Sequence, residues 1–289
     1  MRRHIPSPVC RRVLFVALAL VSGSALADST GDTMSPALDR FSVWLGGYYA
    51  DTSTTLGAGL NNVNLHGNLN LQHNLGFPSH QVVPRVRFDF LLGNSQGFSF
   101  DYYQIDQSRT KTAGTAFSFD GNNYDASASV TGRVNFDFGS ASYKWWFGHE
   151  SDVFGVGLGA AYYRVHAGIS GEATLSGSGG VLNGDVTGQA STYTTESAWA
   201  PELQLGWRHA FTNDLRMYVN ASGVKKNGGN LNGHIYDGAL GVEWFPWQNV
   251  GVGAEYDYTR IRLNQRHEYY RDDLAMNLNG PSLFLRLRF

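Results

Sequence analysis

The segment Pro281-Ser282-Leu283-Phe284-Leu285-Arg286-Leu287-Arg288-Phe289 constrains the fold more than any other. In an extended strand, Leu283, Leu285, Leu287 and Phe289 share one face, while Phe284, Arg286 and Arg288 share the other. One side suits hydrocarbon and the other an enclosed wet space, so the strand reads as a wall between lipid and water. The alternative is an ordinary edge strand in a soluble sandwich.

The N-terminal residues point the same way. Arg2, Arg3, Arg11 and Arg12 flank the start of an apolar run, Val13–Val21, and Ala25-Leu26-Ala27 forms a small-x-small cleavage site. That run is far shorter than the ~20 residues a membrane-spanning helix needs. Residues 1–27 therefore read as a cleaved export signal, 28–39 as a short linker and 40–289 as a barrel domain. The single cysteine, Cys10, leaves with the signal, so the mature chain carries no thiol for a disulfide or a metal. Without the signal, 18 basic residues face 24 acidic ones, which argues against a nucleic-acid partner. A mean hydropathy of −0.26 with 13% aromatics fits strands that turn one face to lipid and one to water.

Period-2 segments recur along the chain at Phe41–Ala50, Val82–Leu92, Phe98–Tyr103, Arg133–Phe147, Val153–Val165, Ala198–Ala210, Leu215–Gly223, Ile235–Phe245, Val250–Arg262 and Pro281–Phe289. Ten is an even count, as a bacterial transmembrane barrel requires. The expected fold is all-β: a single antiparallel up-and-down transmembrane barrel of ten strands, with eight or twelve as the neighbouring counts. Links at 93–97, 148–152, 211–214 and 246–249 are short and turn-like. Those at 51–81, 109–132, 166–197, 224–234 and 263–280 are long and rich in Gly, Ser, Asn and Thr. Short turns on one side and long loops on the other set the orientation, with the C-terminus on the short, periplasmic side of a Gram-negative outer membrane. Trp44, Tyr48, Tyr49, Trp145, Trp146, Tyr162, Tyr163, Trp199, Trp207, Trp244 and Trp247 are candidates for the interfacial girdles.

The terminal stripe resembles the closing strand of bacterial outer-membrane β-barrels. That resemblance implies that Leu283, Leu285, Leu287 and Phe289 serve as an assembly signal, read by periplasmic chaperones and the barrel-assembly machinery. It also implies outer-membrane lipid and lipopolysaccharide as surroundings, and a monomer. Between Ser53 and Tyr103, Leu69-Asn70-Leu71 and Asn74-Leu75-Gly76-Phe77 precede Arg85 and Arg87. This stretch resembles a group of uncharacterised proteobacterial outer-membrane barrels. The chain departs from that group in carrying Asn68, Asn70, Gln72 and Asn74 where acidic residues are usual, and the resemblance implies no activity.

Two segments resist the ten-strand scheme. At Gly139–Ala141 the apolar phase changes, from Val134, Phe136 and Phe138 to Ala141, Tyr143, Trp145 and Phe147. A bulge would do this, and so would an upper half standing above the lipid. Val63–Phe77 alternates like a strand but has no place in the parity. It either folds back on the first strand or drops into the lumen.

Phase assignment turns Arg85, Arg87, Lys144, Arg208, Arg216, Arg286 and Arg288 inward, together with Asp89, Asp101, Asp137, Glu202, Asp237, Glu243, Glu255 and Asp257. Seven cations against eight anions predict an interlocked ionic network, because an unpaired buried charge costs several kcal/mol. A selective pore would leave one sign in excess. Strand adjacency predicts that Glu255 and Asp257 meet Arg286 and Arg288.

An outer-membrane hydrolase or acyltransferase with a rim site is the rival class, and a ligand-binding or adhesion barrel is another. Candidate bases are His66, His73, His80, His166, His234 and His267. Asp-x-His, which omptin-type proteases need, is absent from the sequence, and Asp89 stands without an acidic neighbour. No His-x-Ser of the lipid-deacylase kind lies near the C-terminus. Gly177-Ser178-Gly179-Gly180 precedes no helix and is no phosphate cradle. His66, His73 and His80, spaced by seven in one link, are too weak a pattern to assign a metal site. The sequence therefore predicts no catalytic residue, cofactor or metal, and a structural or narrow porin-like role.

Overall fold

The computed structural model describes residues 34–60, 65–119, 122–148, 150–178, 184–228, 231–266 and 270–289. The expected signal segment, the first part of the expected linker, His267 and the His66 side chain lie outside the described residues. In chain order the elements are β1 (Phe41–Leu60), β2 (Leu65–Asn70), α1 (Leu71–Leu75), β3 (His80–Leu92), β4 (Gln96–Phe119) and β5 (Asn122–Phe147). They continue with β6 (Asp152–Ser178), β7 (Gly184–Ala210), β8 (Leu215–Lys226), β9 (Leu231–Trp247), β10 (Val250–Arg266) and β11 (Tyr270–Arg288).

β1 and β3 to β11 pair in sequence, each antiparallel to the next, and β11 returns to β1. Ten strands thus close a ring with no free edge along the wall. At the seam Val43 lies opposite Leu287 and Trp44 opposite Arg286. Phe289 and Phe41 exchange backbone hydrogen bonds of 2.9 and 3.1 Å. β2 does not cross the wall; it pairs with the Thr55–Leu60 end of β1.

The short links are turns, as expected, but most of the long ones are not loops. β4 and β5 stay paired to Phe119↔Asn122, and β6 and β7 to Gly177↔Gly184, so 109–132 and 166–197 are almost wholly strand. Their Gly, Ser and Thr content suggests loop. Yet no proline interrupts them, and a partner already in register satisfies every backbone group. β6 and β7 reach 27 residues each, against the ~9–11 that a tilted strand needs to cross a bilayer. The hairpins therefore rise well beyond the lipid.

β5 records the change of surroundings within one strand. Near the short turns its outward residues are Phe147, Trp145, Tyr143 and Ala141, and its inward ones Trp146, Lys144, Ser142 and Ser140. Farther up, the inward residues become Phe138, Phe136 and Val134, all buried, while Asp137, Asn135 and Arg133 turn outward. Pairing with β4 and β6 is continuous throughout, so there is no bulge at Gly139–Ala141. What reverses there is the solvent outside the wall. Asp137, expected in the lumen, consequently faces outward, because its strand has already left the hydrocarbon.

The upper interior is an apolar core of Tyr103, Ile105, Val134, Phe136, Tyr163, Ile235, Ile261, Met276 and Leu278, among others. Of the 63–77 segment, residues 65–77 do both of the things expected as alternatives. Leu65–Asn70 folds back on β1, and the chain then enters the barrel as α1, burying Leu71, Leu75 and Phe77 in that core. The Asn70 side chain caps α1 by accepting from the His73 N–H. Gly76 ends the helix at φ 70°, a conformation that glycine adopts without strain.

Residues 34–39, the last of the expected linker, also pack inside. Ala37 and Leu38 are buried against Leu91, Trp146, Val153 and Ala210 at the short-turn end. The Ser35 hydroxyl donates to the Glu150 carbonyl at 2.6 Å.

Candidate functional site

Below the apolar core the lumen is ionic, and it draws its members from all round the ring. Arg85 on β3 is its hub. Nε donates to Asp101 at 3.0 Å, Nη2 to Asp237 at 3.0 Å and Nη1 to Asp257 at 3.3 Å. A planar guanidinium can serve several carboxylates at once, which an ammonium cannot match geometrically. Arg87, two residues along the same face, donates to Glu255 at 2.9 Å and to Asp257 at 3.3 Å. The Tyr218 hydroxyl completes Glu255 at 2.6 Å, Thr259 donates to Asp237 at 2.6 Å, and Ser282 donates to Asp257.

A second knot lies nearer the short turns. Asp89 accepts from Arg208 at 2.8 Å, Arg286 at 3.4 Å and the Ser99 hydroxyl at 2.6 Å. Arg286 also donates to Glu243 at 2.6 Å and to Ser42 at 2.9 Å. Asp39 joins from the N-terminal segment, 2.8 Å from Arg216 and 3.6 Å from Arg286. Nothing around Asp39 in the sequence alternates like a strand, so phase assignment could not have found it.

Two expected pairings do not form. Arg286 lies opposite Gly251 and Glu255 opposite Ser282, four residues apart along one ladder. At ~3.4 Å per residue that separation exceeds side-chain reach, whereas the facing wall of a narrow barrel is close. Glu255 and Asp257 therefore bind β3 arginines across the lumen. Arg288 instead stacks on the Phe245 ring at 3.8 Å, donates to the carbonyls of Gln248 and Asn213, and lies 3.6 Å from the exposed Asp214. Lys144 and Glu202 line the same wall, both buried, but among the described residues neither forms an ion pair within 4.0 Å; Lys144 lies over Trp146 at 5.5 Å.

Four expected girdle residues also belong to the interior. Trp44 stacks on Phe284 at 4.8 Å and lies beneath the Arg87 guanidinium at 4.6 Å. Trp146 carries Arg208 at 4.6 Å. Tyr48 and Tyr163 sit in the upper core. Glycines make room for these rings. A Cβ at Gly253 would run into Phe284, and one at Gly241 into Tyr218. The outward aromatics are Tyr49, Trp145, Tyr162, Trp199, Trp207, Trp244 and Trp247.

Between those rings lies a continuous outward belt: Phe88, Phe100, Leu158, Leu203, Leu205, Leu240, Val242, Val252, Leu283 and Leu285 among others. Such a surface around an ionic interior inverts a soluble protein and matches a wall in lipid. The chain is a transmembrane β-barrel. Leu283, Leu285 and Phe289 are 74%, 51% and 62% exposed on that belt.

No family model and no curated protein matches the chain. Among solved structures it is similar to the outer membrane protease OmpT from Escherichia coli, at 11% identity and a TM-score of 0.48, covering 89% of this chain and 98% of that one. It is also similar to the outer membrane protein OprG from Pseudomonas aeruginosa, at 9% identity and a TM-score of 0.37, covering 88% and 100%. A Pseudomonas aeruginosa FadL homologue gives 10% identity and a TM-score of 0.36, covering 88% and 93%. The likeness is one of fold.

The candidate bases His73, His80, His166 and His234 lie on or above the upper wall, whereas His209 sits at the short-turn end, its Nδ1 2.9 Å from Asp152. His80 Nδ1 is 3.0 Å from the hydroxyl of its neighbour Ser79, and His166 Nδ1 is 2.5 Å from that of Thr195. His73 is exposed on α1. His234, beside Tyr236, is held below the usual imidazole range by burial and then by Arg262, Arg260 and Lys225.

Proposed function

We propose that this chain is a sealed outer-membrane barrel of a Gram-negative bacterium, with its C-terminus periplasmic and its role structural. It anchors a rigid β-walled tower, built from the β4–β5 and β6–β7 hairpins, above the outer leaflet. The observation that carries this reading is a lumen occupied at three successive levels: residues 34–39 at the short-turn end, the ionic network at the belt, and α1 with the apolar core above. Within the ionic layer, a cavity of about 50 Å³ is lined by Arg85, Asp89, Lys144, Arg208 and Asp237. That is room for one or two waters at ~30 Å³ each, not for a solute.

Lipid and lipopolysaccharide would surround the belt. The barrel-assembly machinery and periplasmic chaperones would read Leu283, Leu285, Leu287 and Phe289, and the closed ring favours a monomer. The resemblance of the Ser53–Tyr103 stretch to uncharacterised proteobacterial barrels is compatible with this role. Planar-bilayer recording tests it. The intact protein should insert without steady unitary currents, and reproducible open-channel steps would replace the structural role with a passage.

A further inference from the structure

We propose that the outward face of β8–β10, immediately above the lipid belt, binds the phosphate groups of an outer-leaflet lipid. Lys225 lies opposite His234 across the β8–β9 pair, and His234 lies opposite Arg262 across β9–β10. Arg260, in the next row toward the belt, lies opposite Tyr236. All four point away from the lumen, because the alternating residues Val224, Ile235 and Ile261 are the buried ones.

Basic groups directly opposite one another on a sheet repel. Among the described residues Lys225, Arg260 and Arg262 form no ion pair, and Arg260 Nε is shielded from solvent without a hydrogen-bond partner. The described acids nearby lie off this row. Asp237 faces the lumen, engaged by Arg85, and Asp273 lies opposite Asn264, one row farther from the belt. Such a cluster persists most easily when an anion bridges it, and guanidinium and ammonium groups are the usual partners of phosphate oxygens.

The position selects a lipid as the source of that anion. Tyr236, beside Arg260, and Tyr258 and Leu240 in the rows beneath are 49%, 46% and 53% exposed. Gly238 lies between Ala221 and Tyr258 on the neighbouring strands, and a Cβ there would meet nothing within 4 Å. An acyl chain can lie in that gap while its phosphate meets the arginines. Cations at this height are favourably placed toward an anionic leaflet. The inference rests on the orientation proposed above, with the long hairpins outside.

The test uses the mature barrel in zwitterionic detergent, with native mass spectrometry reading the bound lipid. Lipopolysaccharide should bind, and its dephosphorylated form should bind far more weakly. Combining Lys225→Gln, Arg260→Gln and Arg262→Gln should weaken binding on the order of a hundredfold. A control pair on another outward face, Arg133→Gln with Arg164→Gln, should leave binding unchanged. Equal binding by the triple variant, or by dephosphorylated lipid, overturns the proposal. So does displacement of the lipid by equimolar inorganic phosphate, which would mean a free-anion site. Failure to insert into liposomes would sink the barrel reading itself; insertion without preference for phosphorylated lipid sinks only this inference.

Discussion

The belt-level half of the barrel and the half above it fill one cylinder with opposite materials. Where hydrocarbon lies outside, the inward faces carry arginine and carboxylate. Where water lies outside, they carry Phe136, Phe138, Ile105 and Leu278, as in a soluble β-barrel. The difference teaches that alternation fixes which residues share a face, while the external solvent decides which face is polar. It also divides the energetics. Apolar burial stabilises at ~25 cal/mol per Å², whereas a buried ion pair barely repays its desolvation and contributes mainly by dictating one geometry. The lower half should therefore be unforgiving of single changes and the upper half graded.

The largest expected effect follows from that contrast. Arg85→Met leaves Asp101, Asp237 and Asp257 without their shared cation and should destabilise the barrel by ~3–5 kcal/mol, as the loss of one partner in a buried network does. Urea unfolding in detergent, followed by heat-modifiable gel migration, measures it. A loss below ~1 kcal/mol would mean that water or ions compensate the carboxylates and that the layer is wetter than its geometry implies. Next comes Leu71→Ala in the apolar half, with an expected cost of ~2–4 kcal/mol from transfer and cavity terms. This loss should be local. Amide exchange should quicken in α1 and in the facing part of β5 while β3 and β10 at belt level stay protected, and a uniform loss of protection would show that the halves unfold as one unit.

Much of this was legible in the sequence because strand phase is a two-state quantity. Period 2 with even parity gave the ring, and the inward set Arg85, Arg87, Asp89 and Arg208 follows from it directly. The same phase already grouped Trp44 and Tyr48 with Ser42 on the inward face. Treating them as girdle residues let aromatic preference override register, although Gly46 and Gly253 were the signal that rings lie flat on the inner wall. Partner choice was not legible, because adjacency along the chain says nothing about distance across a closed lumen. Asp39 and α1 were illegible for another reason: both enter the barrel from segments without strand periodicity, where only three-dimensional packing assigns a place.

Arg286 and Arg288 are equivalent by pattern and unequal in the structure, which sharpens the point about partners. Arg286→Ala should cost ~2–4 kcal/mol, because it strips Glu243, Asp39 and Asp89 of a buried cation. Arg288→Ala should cost at most ~1 kcal/mol, since its carboxylate partner Asp214 is 62% exposed. Paired unfolding curves decide it, and equal losses would return the adjacency scheme to favour.

The smallest expected effect discriminates most sharply between phase and solvent. If Asp137 pointed into the lumen, Asp137→Asn would remove one charge from a packed ionic layer and cost several kcal/mol. Facing outward on β5, opposite Gln104 on β4 and Arg164 on β6, it is a wet surface residue one register step above the Tyr102–Gly139–Tyr162 row that marks the top of the belt. The change should then stay within ~0.5 kcal/mol. The hydrophobic counterpart, Asp137→Leu, should be tolerated equally well if lipid is near enough to cover it. A large loss for the Asn variant would instead turn Asp137 toward the lumen and overturn the outward phase of this part of β5.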